Sequence, residues 1–295
     1  MENNMNINWY PGHMAKTKRQ IIDDLKLVDI VIELLDARIP ISSQNPEVSN
    51  ILQNKKRIII LNKSDLADGN ETKKWIQYFK NKNIPALEVN SNEGKGTNQV
   101  IQVIEKMMSN ELENQANKGR IRKTIRVMIV GIPNVGKSSF INRISKKTAM
   151  NVGNKPGVTK QKQWIRIGNQ IELLDTPGVL WPKFESQEVG LNLAYTGSIK
   201  DEVIDKLEIA YNLIQYLDKN YSKNLYDKYK ITDQEISDIK NNPQYYLELM
   251  YLIGRKRGAL ISGGNIDENK VANIILDDFR SGKIGQISLE KVKGE

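Results

Sequence analysis

Gly131 and Gly136, followed at once by Lys137 and Ser138, set the strongest constraint on how this chain folds. The stretch Gly131-Ile132-Pro133-Asn134-Val135-Gly136-Lys137-Ser138 fits G-x-x-x-x-G-K-[ST], a loop that needs a strand before it and a helix after it. Both flanks are present. Ile125-Arg126-Val127-Met128-Ile129-Val130 is a short β-rich apolar run that predicts a buried strand, and Lys137 to Ile144 has helical spacing. The glycines allow backbone angles that aim successive N–H groups at phosphate oxygens, and the helix N-terminus adds its positive end. Asn134, Val135, Gly136, Lys137, Ser138 and Ser139 form the expected phosphate-binding set, with Lys137 on the β- and γ-phosphates and the Ser138 hydroxyl on Mg²⁺. A chance glycine loop between strand and helix is the plain alternative.

A second polar cluster, Asn62-Lys63-Ser64-Asp65, ends the apolar run Arg57-Ile58-Ile59-Ile60-Leu61. Ligands of open α/β sheets bind at such strand ends. The Asp65 carboxylate can accept from N1–H and the 2-amino group of guanine together, and adenine has no such donor pair. Alone the tetrad reads as a turn; beside a phosphate loop it favours GTP or GDP over ATP. Asp175-Thr176-Pro177-Gly178 ends a further run, Gln170 to Leu174. Asp175 there can hold a Mg²⁺ shell through water, and the Gly178 N–H can touch a γ-phosphate. Thr159, in Lys155-Pro156-Gly157-Val158-Thr159, offers a hydroxyl at a spacing suited to the same metal.

In an ordinary GTPase the phosphate loop precedes the guanine-reading tetrad. Here the tetrad lies upstream, and Glu88-Val89-Asn90-Ser91-Asn92 resembles the fifth GTPase motif, which places Asn90 and Ser91 at the guanine. The motifs therefore run fourth, fifth, first, second, third. With Trp9-Tyr10-Pro11-Gly12-His13-Met14-Ala15-Lys16 and Leu35-Asp36-Ala37-Arg38-Ile39-Pro40, the chain resembles circularly permuted GTPases of the ribosome biogenesis GTPase A family. The resemblance is strong over the first 180 or so residues and looser beyond. It departs at Gln44, where an arginine is expected, so no role is carried to that position. Permutation is physically reasonable because domain termini often lie close together at the surface. The new join is expected to be a polar connector from Asn110 to Lys123.

The expected fold is a circularly permuted P-loop GTPase domain over residues 1–182, a mostly parallel sheet with helices on both faces, followed by a small all-α domain over 183–295. Strands are expected near Asp29–Asp36, Arg57–Asn62, Ala86–Asn90, Thr124–Val130, Gln163–Ile167 and Gln170–Asp175. Beyond Trp181-Pro182, the positions Val203, Ile204, Leu207, Ala210, Leu213, Ile214 and Leu217 mark one amphipathic helix. Tyr245 to Ile253 and Val271 to Phe279 suggest two more.

Composition narrows the function classes. A chain with no cysteine has no disulfide framework and no thiolate metal site, which fits a reducing cytoplasm. No apolar run approaches membrane-spanning length. The net charge of +9 favours a polyanionic partner, with clusters at Lys16 to Arg19, Lys55 to Arg57, Arg120 to Lys123 and Arg255 to Arg257. Each cluster alone reads as a solvated face. Together with the resemblance they point to RNA, and a protein-docking bundle is the alternative for the helical part.

The resemblance implies a GTPase that binds the assembling large (50S) ribosomal subunit, its rRNA and its proteins, and leaves after hydrolysis. A monomer is expected. The alternatives are a GTP-dependent docking module and a GTPase assisting tRNA modification. Val179 stands where Ras-like enzymes carry the water-orienting glutamine, so slow hydrolysis stimulated by a partner is expected. His13, the single histidine, reads by itself as a helix cap or surface residue. The resemblance assigns it to hydrolysis, as an imidazole that orients or deprotonates water. Asn134 resembles the asparagine that ligates K⁺ in GTPases lacking the glutamine; a solvent-facing loop residue is the alternative.

Overall fold

The structure, a computed structural model, describes residues 11–52, 55–117, 124–148, 164–168, 170–178, 180–181 and 184–292. The apolar runs form a six-stranded sheet. Its strands are β1 (Ile30–Asp36), β2 (Lys56–Asn62), β3 (Ala86–Val89), β4 (Ile125–Val130), β5 (Trp164–Ile167) and β6 (Ile171–Asp175), each within one residue of the expected run. The order is β3-β2-β1-β4-β6-β5, and every neighbouring pair is parallel except β5 with β6.

The register aligns the strand ends that matter. Asp36 pairs with Asn62, Asn62 with Val89, Glu33 with Val130, and Ile129 with Asp175. The loops that follow β1, β2, β3, β4 and β6 therefore leave along one edge of the sheet, where ligands of such folds bind. Val31 and Leu35 share one face with Ile59, Leu61, Met128 and Val130, packed under α1 (Pro11–Leu25), α2 (Pro46–Ile51) and α3 (Gly69–Asn81). Asn45 caps α2 ahead of Pro46, and Asp68 caps α3 by accepting from the N–H groups of Asn70 and Glu71. On the other face Lys56 reaches α4 (Thr97–Asn117), donating to the Met107 carbonyl at 2.7 Å. α5 (Lys137–Thr148) follows the glycine loop.

The expected connector from Asn110 is a helix as far as Asn117, because its polar residues are still good helix formers and Glu111 is held by Lys56. Residues 118–123 lie outside the described part.

The chain divides into two compact units. One holds Phe184 and the described chain before it, together with the segment from Ser288 on; the other is Glu185–Ile287. The second unit is helical: α6 (Gln187–Tyr195), a single 3-10 turn (Asp201–Val203), α7 (Lys206–Tyr229), α8 (Asp233–Ile239), α9 (Tyr245–Lys256) and α10 (Glu268–Arg280). Val203 and Ile204, expected inside the first of these long helices, fall outside it. Asp205 caps α7 instead by accepting from Leu207 and Glu208, and Val203 stays exposed. Ser288 to Val292, expected with the helical part, packs with the sheet unit, where Val292 joins the cluster around Trp75 and Phe79.

Candidate nucleotide-binding site

The glycine loop has the geometry its sequence calls for. Asn134 and Gly136 adopt left-handed backbone angles, at φ +58° and +97°. A Cβ on Gly136 would lie 2.4 Å from the Asn62 amide nitrogen, so only glycine fits there. That amide is the hub of the site. Asn62 Nδ2 donates to the Val135 carbonyl at 2.8 Å, and its Oδ1 accepts from the Ser91 N–H at 3.2 Å and the Ser91 hydroxyl at 2.7 Å. One buried side chain thus joins the phosphate loop, the N-K-S-D tetrad and the loop after β3, which are far apart in sequence.

An open cleft of about 540 Å³ is lined by Asn134, Gly136, Lys137, Ser138, Ser139, Asp175 and Gly178. Thr176 anchors the far wall through its hydroxyl to the Ile129 carbonyl at 2.6 Å. Gly178 lies so close to the loop that a Cβ would meet Lys137 Nζ at 2.8 Å and the Pro133 nitrogen at 2.9 Å. Lys137 donates to the carbonyls of Gly131 and Ile132, both at 2.9 Å. Burial pushes its pKa down to about 8, opposed by the Asp175 charge. Burial also raises the Asp175 carboxyl, against the pull of Lys137 and the Thr176 N–H.

At the end of the site expected to take guanine, Asp65 is exposed, and the Ser64 N–H donates to the Val89 carbonyl. Lys63 takes a left-handed angle, φ +57°, and its ammonium lies 3.0 Å from Asp36 Oδ2. Asp36 is fully buried and is gripped by Arg38 through Nε at 2.9 Å and Nη2 at 2.8 Å. Burial alone would raise this carboxyl, but Arg38 and Lys63 outweigh it and hold it well below the usual carboxylate range. Asn90 is spent inside its own loop, accepting from the N–H groups of Asn92 and Glu93.

Ser138 and Asp175 supply hydroxyl and carboxylate oxygens to one cleft. These are the hard donors Mg²⁺ takes, and among the described residues no three His, Cys, Asp or Glu side chains group to hold a metal ion. That combination suits an ion held by one or two side chains plus phosphate oxygens. Thr159 and Val179 lie outside the described residues, as does the side chain of His13, whose backbone falls in the first turn of α1.

Sequence reasoning missed two parts of the site. Arg143 on α5 donates to the Ser91 carbonyl at 3.2 Å and packs under Gly94, steadying the loop after β3. The other is the Asp36–Arg38 pair behind Lys63. Two opposite charges two residues apart at a strand end were the available signal. Gln44 donates to buried Glu33 at 3.3 Å, and Arg57 of β2 supplies the positive charge there at 3.2 Å.

A family model described as "50S ribosome-binding GTPase" matches residues 126–250. The chain is 46% identical to the ribosome biogenesis GTPase A of Bacillus licheniformis over 287 residues, covering 97% of this chain and 99% of the relative. Among solved structures it is similar to GDP-bound TM YlqF, with a TM-score of 0.68 at 28% identity over 94% of this chain and all of the other. It is similar as well to GNP-bound YlqF from T. maritima, with a TM-score of 0.63 at 28% identity over 94% of this chain and 98% of the other.

Proposed function

The chain belongs to the ribosome biogenesis GTPase A family, and from that premise we propose a GTP-driven factor that docks on the assembling large ribosomal subunit and leaves it once GTP is hydrolysed. The observation that carries this reading is the Asn62 hub, which draws the phosphate loop and the guanine loops into one site. Lys137 exchanges its two carbonyl partners for the β- and γ-phosphates, and the loop N–H groups surround them. Asp65 reads N1–H and the 2-amino group of guanine, while Lys63, Asn90 and Ser91 shape the rest of the base pocket. Ser138, Thr159 and Asp175 would hold Mg²⁺ and Asn134 would hold K⁺, ions that neutralise phosphate charge when bound with the nucleotide. His13 orients the attacking water in place of the missing glutamine. The chain leaves the sheet unit at Phe184, soon after Gly178, so a γ-phosphate held at Gly178 bears on the segment entering the helical unit. That unit offers the exposed run Arg255, Lys256 and Arg257 to rRNA. No helix among the described residues is long and apolar enough to cross a membrane.

The test is GTP turnover with and without purified large subunits or their precursors. Strong stimulation, with GTP-dependent co-sedimentation that is lost on hydrolysis, is the expected result. Turnover unaffected by subunits, alongside capture of a protein partner, would move the chain to a docking role.

A further inference from the structure

After the helical unit the chain returns to the sheet unit, and its landing place is the guanine end. The Leu289 and Glu290 N–H groups donate to the Arg38 carbonyl at 2.9 and 3.3 Å. The Glu290 carboxylate accepts from the N–H groups of Ile41 at 2.6 Å and Ser42 at 2.8 Å, and from the Ser42 hydroxyl. The Ser288 hydroxyl accepts from the Asp68 N–H at 3.1 Å, three residues past Asp65, and Trp75 Nε1 donates to the Glu290 carbonyl. Ser288 and Leu289 are buried.

These bonds bracket the base-reading tetrad. Upstream, Arg38 grips Asp36, Asp36 holds the Lys63 ammonium, and the Ala37 N–H donates to the Asn62 carbonyl at 2.8 Å. Downstream, Asp68 caps α3 directly behind Asp65. The returning segment seals the core as well, with Leu289 buried and Val292 against Trp75 and Phe79. It places a carboxylate, a hydroxyl and two N–H groups on the two loops that fix where Lys63 and Asp65 stand.

We infer that Ser288–Glu290 is a positioning element for the guanine pocket, setting base affinity through Arg38, Asp36 and Lys63. It rests on the reading of Asn62–Asp65 as the base reader. The helical unit is then tied to the nucleotide site at both ends of its chain, to the γ-phosphate loop through Phe184 and to the base loop through Ser288.

The test compares Glu290→Ala with the parent in the full chain, reading the dissociation rate of a fluorescent GDP and, by calorimetry, the affinity for inorganic tripolyphosphate. Dissociation should quicken about tenfold, the worth of one charge-assisted hydrogen bond, with tripolyphosphate affinity unchanged. Glu290→Gln, which keeps an acceptor oxygen, should fall between. A merely structural tail lowers the fraction able to bind and the melting temperature, but not the dissociation rate of bound GDP. Parental GDP dissociation overturns the proposal, and so does equal weakening of GDP and tripolyphosphate. If Glu290→Ala does not fold, Ser42→Ala and Glu290→Gln are judged by the same two readouts. Asp65→Asn separates the layers: retained GDP affinity in that variant removes the base reader and this proposal with it. Weakened GDP there, beside parental Glu290→Ala, removes the proposal alone.

Discussion

The two units differ in how much charge they bury. In the sheet unit charge is carried inside: Asp36, Arg38 and Glu33 are almost fully buried, and each is matched by named partners at 2.8–3.3 Å. A buried ion pair contributes more to local geometry than to net stability. Here that geometry is the edge of the sheet where the motifs converge. In the helical unit the core is built on Ile209, Leu213, Leu217, Met250, Ile275 and Phe279, a single carboxylate among its described residues, Asp278, is buried and meets Lys228 at 3.4 Å, and the run Arg255 to Arg257 faces solvent. Its strongest polar ties hold helices in place, as when Arg280 joins Asp201 at 2.9 Å and the Ala194 carbonyl at 2.8 Å. In the sheet unit the buried bonds converge on the strand ends beside the cleft. The helical unit carries 13 basic and 16 acidic side chains over residues 185–287, a net of −3, so its basic character is local to the exposed run Arg255 to Arg257.

The strongest way to break this comparison is His13→Ala. If chemistry is confined to the sheet unit, subunit-stimulated turnover should fall by roughly 10²–10⁴-fold, the span of general acid–base and water-positioning roles. Affinity for GTP, GDP and the subunit should stay near the parent's, so the variant accumulates on the subunit with GTP bound. Stimulated rate, nucleotide affinity and melting temperature on one preparation decide it. Parental turnover retires His13 and leaves Asn134 with K⁺, or a group from the subunit, in its place.

Lys137 gives the next effect. Lys137→Ala should cost about 10²–10³-fold in GTP affinity, the scale for truncating one partner of a buried charge pair. The helical unit's circular dichroism and its salt-dependent binding should not change. The same residue predicts a pH dependence. Its folded pKa, near 8, lies below the ordinary lysine value, so the unfolded chain binds more protons between these pH values. Nucleotide-free stability should therefore rise with pH from about 8 towards 10.5, other groups aside. Triphosphate favours the charged form, so its affinity should fall as pH climbs above 8, with proton uptake on binding in that range. Calorimetry in buffers of different ionisation enthalpy measures the uptake. Its absence would mean Lys137 stays fully charged without nucleotide.

The contrast also explains what could be read in advance. The six strands were legible because β-branched apolar runs bounded by turn residues have few other ways to bury themselves. The phosphate loop was legible because Gly136 stands where any side chain would strike Asn62. Arg143, the Asp36–Arg38 grip and the return of Ser288–Glu290 were not legible as site parts. Arg143 and Ser288–Glu290 act across chain separations of 52 residues to Ser91 and 249 to Ile41, which leave no spacing pattern, while the Asp36–Arg38 grip is local and shows its role only once the fold brings Lys63 to it. In the helical unit apolar periodicity found α7, α9 and α10 but misplaced the start of α7. Val203 and Ile204 continue the apolar period, while the capping chemistry of Asp205 decides where the helix begins. Short α8, with no fully buried residue, carried too weak a stripe to be named.

Salt sharpens the comparison further. If the helical unit reads a polyanion, log affinity for subunit RNA should fall steeply with log salt. Neutralising Arg255, Lys256 and Arg257 together should then flatten the slope by about 2, at roughly 0.7–0.9 per phosphate contact. GDP affinity should not respond. A flat slope in the parent protein argues for protein docking.

The smallest effect tests whether the units melt and bind independently. Thr232 closes a capping box at α8: its hydroxyl accepts from the Glu235 N–H at 3.3 Å, and the Glu235 carboxylate accepts from the Thr232 N–H at 2.8 Å. Glu235 also holds Lys256 at 2.7 Å, and Lys256 donates to the Lys230 carbonyl at 2.9 Å, so the box steadies one of the three exposed cations. Thr232→Ala removes the cap at a cost of about 1 kcal/mol. In a unit near a hundred residues that should lower the melting temperature by roughly 4–8 °C. GDP affinity should match the parent's, because no bond of this box reaches the sheet edge. RNA affinity should drop by less than in the triple variant, since Arg255 and Arg257 are untouched. A GDP affinity that falls along with the melting temperature would show that the helical unit supports the nucleotide site through more than the segment at Ser288–Glu290.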